Sequence, residues 1–194
     1  MPDKNKNDCG SKNRCRAFTL TETLITLAIV SIVMSAGIPA YSAMLERNEA
    51  HNDMRQLYRL FADAHAYAVL HSKYVTLCPL DHSGNCHNDW MAEISVFEDH
   101  NDDRELDANE RVLLIVDAVD RPQVTRTYGS RHAVTFSPMG DSLGFNGTLR
   151  YCFHGRDEHN GGVIIHGTGR IRAATDLNGD GLADENNGRT ITCD

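Results

Sequence analysis

The hydrophobic and polar positions of this chain fall into three successive regimes. From Phe18 to Tyr41 the sequence is almost wholly apolar, and no charge appears between Glu22 and Glu46. A run of roughly 20 apolar residues is long enough to cross about 30 Å of hydrocarbon as a helix. A buried core helix is the competing reading, and it is the weaker one because such helices seldom run this far without a polar face. From Met54 the pattern changes. Leu57, Phe61, Ala64 and Ala68 recur at spacings of three and four, with Arg55, Arg59 and Asp63 on other faces. That is the stripe of an amphipathic helix. Apart from Gly37 and Pro39 nothing between Phe18 and His71 breaks a helix, so one long helix is expected, apolar all round in its first half and one-sided in its second.

Beyond Ser72 come short strand-like runs parted by Gly, Pro, Asn and Asp. The pattern predicts strands at Tyr74–Cys78, Ile94–Phe97, Val112–Val119, Ala133–Phe136, Thr148–Phe153 and Val163–His166. The expected fold class is therefore α+β, a long N-terminal helix laid against a β-rich head. No internal repeat implies a solenoid.

Charge sharpens this picture. The 194 residues carry a net charge of −8, but the first 17 hold +3 and the rest −11. A basic tip before an apolar segment keeps the tip cytoplasmic and sends the body outward. The bulk acidity excludes coating of nucleic acid by overall charge, so any such contact needs a local basic patch. With Trp90 the one tryptophan, a stacking platform is also disfavoured. A secretory signal peptide shares the basic tip and apolar run, and small residues from Ala36 to Ala43 offer it a cleavage site. Glu22 argues against it, since a carboxylate at membrane depth costs on the order of 3 kcal/mol and marks a function.

The string Arg16-Ala17-Phe18-Thr19-Leu20-Thr21-Glu22-Thr23-Leu24 resembles the class III leader of type IV pilins and type II secretion pseudopilins. The resemblance implies that a prepilin peptidase cuts between Ala17 and Phe18 and that the new amine of Phe18 is methylated. It implies too that Glu22 pairs with the amine of a neighbouring subunit on assembly. Pro39 falls where family members carry a helix-kinking proline, and one departure is Ala17, where the family usually has Gly. The plan that follows is a leader at 1–17, a transmembrane assembly helix at 18–41, its amphipathic second half at 42–72, and a periplasmic head with its tail at 73–194. The anchor is a single pass through the inner membrane.

Val134-Thr-Phe-Ser-Pro138-Met-Gly140, then Gly147-Thr-Leu149 and Cys152, is similar to the head of the GspH/FimT pseudopilins, as are Trp90 and Val96-Phe97-Glu98-Asp99 upstream. This implies a type IV pilin-like fold and a minor pilin or pseudopilin with other pilins as partners. Gly167-Thr-Gly169-Arg170-Ile-Arg172 resembles the GRxR motif of the FimT branch, whose members bind DNA in natural transformation. Gly169, Arg170 and Arg172 are the DNA-binding candidates. Alternate residues of an extended segment point the same way, guanidinium forks suit phosphate oxygens, and Gly169 would let a backbone approach. Arg126, Arg131, Arg150 and Arg189 are candidates to widen the patch. The alternatives are a pair of solvated arginines facing an acidic loop, and a GspH-like secretion subunit without DNA binding.

Cys9 and Cys15 fall in the leader, which leaves Cys78, Cys86, Cys152 and Cys193 in an exported body where disulfides persist. Of three possible pairings, Cys78–Cys86 and Cys152–Cys193 are favoured, the first closing a short loop with Pro79 and Gly84 and the second pinning the C-terminus. A zinc site from Cys78, His82, Cys86 and His87 is the rival, and its spacing is cramped. Two acidic loops raise a Ca²⁺ question. Asp99, Asn101, Asp103, Glu105, Asp107 and Glu110 follow EF-hand spacing but carry Arg104 where Gly belongs. Asp176, Asn178, Asp180 and Asp184 have the Gly, at 181, and lack the closing Glu. Plain acidic turns compete with Ca²⁺ at both, and the second is the candidate metal set. Gly140-Asp-Ser-Leu143 matches a hydrolase block by its letters alone, without the base and oxyanion hole a nucleophile needs. No enzyme is expected.

Overall fold

The computed structural model describes residues 18–193, so the leader and Ala17 lie outside the described residues. The chain divides into two compact units, Met1–Met44 and Leu45–Asp194, and helix α1 (Leu20–His71) runs through both.

In the first unit the Thr19 hydroxyl accepts the Glu22 amide at 3.2 Å, so Thr19 caps the helix and Glu22 occupies its first turn, where the helix dipole favours an acid. Ser31, Ser35 and Ser42 turn their hydroxyls back onto the carbonyls of Leu27, Ile32 and Pro39. These three hydroxyls are thereby satisfied within the helix, as a bilayer demands. The helix continues through Pro39, which has no amide to offer the carbonyl of Ser35. Its large apolar side chains are exposed, and the segment is long and apolar enough to cross a membrane.

In the second unit α1 buries Ala50, Leu57, Leu60, Phe61, Ala64 and Ala68, the expected stripe with two additions. Two four-stranded antiparallel sheets complete the core. One has the order β3-β2-β1-β5, with β1 Val75–Pro79, β2 Ile94–Glu98, β3 Val112–Val116 and β5 Val134–Phe136. The other has the order β4-β6-β7-β8, with β4 Val124–Thr127, β6 Gly147–Phe153, β7 Gly161–Ile165 and β8 Ile171–Ala173. Phe61, Leu77, Val96, Phe136, Tyr151 and Ile165 meet in one apolar cluster with Trp90, whose indole N–H donates to the carbonyl of Arg131 at 2.8 Å. Six strands lie where the pattern put them, although β3 stops at Val116; β4 and β8 come in addition.

The structure joins Cys78 to Cys86 and Cys152 to Cys193. Thiols in disulfides cannot hold zinc, so the zinc alternative at Cys78 and Cys86 is removed. The second bond ties the tail to β6 across 41 residues.

One buried carboxylate links α1 to β2. Glu98 accepts a hydrogen bond from Lys73 and another from the Tyr67 hydroxyl at 2.5 Å. The Lys73 bond first, and then that of Tyr67, hold its carboxyl below the usual carboxylate range. A folded value below the unfolded one gives stability that is present above the unfolded value and lost as pH falls through the folded one. Glu98→Gln should therefore lose less stability than wild type between about pH 6 and about pH 3. Urea midpoints at the two pH values read this, and an equal loss in both proteins would contradict it.

Candidate functional site

Arg170 and Arg172 sit at the open edge of the second sheet. Arg172 pairs with Ile164 in the β7–β8 register, and Arg170 continues the ladder as its carbonyl accepts the His166 amide at 3.0 Å. Two residues apart on extended backbone, they share a face. Ile171 between them packs against the core cluster. Arg170 is exposed, while Arg172 is half-buried and donates to Asn186 Oδ1 at 3.2 Å. Asn186 belongs to the tail that Cys193 fastens to β6. Sequence reasoning missed it, because nothing in the spacing places residue 186 beside residue 172.

Several other arginines have partners within the head. Arg121 bonds Asp53 and Glu49, Arg150 bonds Glu185, and Arg156 bonds Glu46. Arg126 is buried, its guanidinium donating to the carbonyls of Met91, Ala92 and Asp117, and burial lowers its pKa. It cannot widen a surface patch. Arg131 lies over the Phe145 ring, 5.5 Å from its centroid, and Arg189 is exposed in the tail. Of the four candidates to widen the patch, Arg189 alone is exposed. Among the described residues neither Arg170 nor Arg172 has a carboxylate at ion-pair distance.

Gly169 has a structural use within the head. It is buried with φ +78°, in the turn where its amide bonds His166. A Cβ there would stand 1.6 Å from the carbonyl oxygen of Gly140. His65 Nε2 donates to that same oxygen at 2.9 Å. The close approach that needs a glycine is to the protein's own backbone.

The two acidic loops differ in how their carboxylates are used. Asp99 is fully buried; its Oδ1 accepts the Asp103 amide, and its Oδ2 accepts the Arg104 amide and the Thr76 hydroxyl. In the second loop Asp176 accepts the amides of Asn178, Gly179 and Gly181. Those bonds, Gly181's first, hold its carboxyl below the usual range. Asp180 accepts the Leu182 amide, and Asn178 donates to Asp180. Asp184 is fully buried, with Oδ2 on the Leu177 amide and Oδ1 without a partner. Among the described residues no three Asp, Glu, His or Cys side chains are grouped as a metal site.

Ser142 of the Gly140–Leu143 string is buried, its one hydroxyl proton lying between the carbonyls of Phe145 and His166, at 3.0 and 2.8 Å. A carbonyl accepts this hydrogen bond but is no base, so it does not activate the hydroxyl.

An apolar N-terminal helix that continues into the core of an antiparallel two-sheet head defines the pilin class of subunit. The chain belongs to the GspH family: the model for type II transport protein GspH matches residues 53–169, and the prokaryotic N-terminal methylation motif matches residues 12–38. Crystal structures of the type IV minor pilin FimU from Pseudomonas aeruginosa share the fold. One is 20% identical with a TM-score of 0.54, covering 67% of this chain and 91% of that chain. A second crystal form gives 17%, 0.51, 64% and 92%. No individual curated protein matches the sequence. The family is one of structural pilins and pseudopilins, not of enzymes.

Proposed function

We propose that the chain is a minor pilin of a type IV pilus or a related filament whose head contacts DNA for natural transformation. In this reading the 1–17 leader is removed at Ala17–Phe18, and residues 18–41 anchor the subunit in the inner membrane with its N-terminus cytoplasmic. Residues 42–194 then form the second half of the helix and the periplasmic head. Assembly draws the apolar helix into the filament core, where Glu22 pairs with a neighbour's methylated amine. The observation that carries the DNA part is the partnering of the arginines. Arg121, Arg150 and Arg156 are spent on carboxylates, Arg126 on carbonyls and Arg131 on a ring, whereas Arg170 and Arg172 share an open sheet edge with no acidic partner. Guanidinium forks on one face, neither held by an acid, suit phosphate oxygens. Such contacts carry little sequence preference and weaken as salt rises.

A mobility shift at low salt tests this with the full-length protein in detergent. Wild type should retard a DNA duplex. Arg170→Gln/Arg172→Gln should retard it less and lower the slope of log affinity against log salt by about 2, one for each lost phosphate contact. No shift with wild type, or equal shifts with both, would leave the second reading. That reading is a secretion pseudopilus subunit without DNA binding, which the GspH match favours.

A further inference from the structure

We propose that the loop from Asp176 to Asp184 is a low-affinity Ca²⁺ site built over the buried carboxylate of Asp184. The observation that carries this lies beneath the loop. Asp184 is fully buried, and its backbone bridges to both Thr175 and Thr190, which fixes it at the base of the turn. One carboxylate oxygen is committed at 2.8 Å to the amide of Leu177, the second residue of the loop, so the group faces into the loop. The other oxygen is buried with no hydrogen-bond partner. A buried carboxylate oxygen left unpaired carries a desolvation cost that a cation would relieve.

The other oxygen donors of its loop have one chemistry. Asp176, Asn178, Asp180 and Asp184 supply hard oxygens at positions 1, 3, 5 and 9 of an acidic loop with Gly181 at position 6. Oxygen ligands in a flexible loop suit Ca²⁺, which tolerates irregular coordination, better than Mg²⁺, which demands a near-ideal octahedron. In the other acidic loop the fully buried carboxylate, Asp99, has both oxygens taken. Asp102 there also has an unpartnered oxygen, but the residue is only partly buried, unlike Asp184.

Asp180 and Asn178 are bonded to one another and to the loop's amides. A cation has to draw them inward, at the expense of those bonds. That places the affinity with weak extracellular modules, about 10⁻⁴–10⁻³ M.

The test is thermal melting of the full-length protein in detergent, with Ca²⁺ or Mg²⁺ at about 5 mM, alongside calorimetry. The site requires a rise of roughly 3–5 °C with Ca²⁺, a much smaller one with Mg²⁺, and measurable heat. Asp184→Asn should abolish the rise. Asp180→Ala, at an exposed position, should do the same and keeps the test decisive should the buried variant not fold. Asp103→Ala, in the other loop, should retain it. An unchanged melting temperature without heat, an equal response to Mg²⁺, or a rise that survives Asp180→Ala would overturn the proposal and leave a trapped water on Asp184.

Discussion

Replacing Gly169 with alanine should lower the melting temperature by roughly 8–16 °C. Two costs combine. The residue holds φ +78°, a region that side chains with a Cβ avoid. The added Cβ would also lie 1.6 Å from the Gly140 carbonyl oxygen, a distance no contact tolerates. The neighbour is backbone and is itself held by His65 Nε2, so it cannot swing aside as a flexible side chain would. A backbone displacement in a packed turn belongs with the severe single substitutions, about 4 kcal/mol. For a domain of this size each kcal/mol shifts the midpoint by about 2–4 °C. Arg170→Gln, at an exposed neighbour, should stay within about 0.5 kcal/mol of wild type. Differential scanning calorimetry separates the two, and a melting temperature for Gly169→Ala within about 2 °C of wild type would contradict the packing described here. Loss of DNA retention in Gly169→Ala would therefore report a damaged fold, whereas loss in the arginine pair reports contact.

Glu22→Ala should leave the protein in the membrane and remove it from the filament. The helix keeps its cap without the side chain, because the Thr19 hydroxyl accepts the backbone amide of residue 22. Insertion becomes easier once a carboxylate is taken from the apolar segment, by on the order of 3 kcal/mol. Assembly is the step that suffers. In the proposed filament core the neighbour's terminal amine would be left charged and unpaired, and breaking a buried pair by removing one partner costs about 3–5 kcal/mol. That corresponds to a fall in incorporation of more than about 100-fold. Sheared-filament and membrane fractions probed for the protein give the reading. Equal amounts of wild type and variant in the filament fraction would show that Glu22 has no part in assembly.

The sequence was most readable where a repeating pattern met a single environment. The spacing of Leu57, Phe61, Ala64 and Ala68 identified the buried face of α1, because a helix packed on one side must repeat its apolar residues at that period. The cysteine pairs were legible from loop length and compartment. The edges of the sheets were not. The run from Val112 to Val119 is apolar enough to read as one buried strand, yet β3 is an edge strand that ends at Val116 and leaves Leu114 and Ile115 substantially exposed. An apolar run states how a residue would like to be packed, not whether a neighbour arrives. Strand β8 has one large apolar residue in three, so its pairing with β7 shows only in the fold. Gly169 illustrates the same limit at the site. Its letter announced a close backbone approach and could not say that the neighbouring backbone is that of Gly140. Arg126 went astray for want of long-range partners, since the three carbonyls that bury its guanidinium come from Met91, Ala92 and Asp117.

The central claim is that the chain works as a processed, membrane-anchored pilin-type subunit, and the mature N-terminus tests it most directly. Intact-mass and N-terminal peptide mass spectrometry should be run on the protein purified from its native membrane. The account predicts a chain that begins at Phe18, carries one added methyl group on its amine, and lacks residues 1–17. A chain that retains Met1, or one cut between Ala36 and Ala43 as a secretory signal would be, would contradict it.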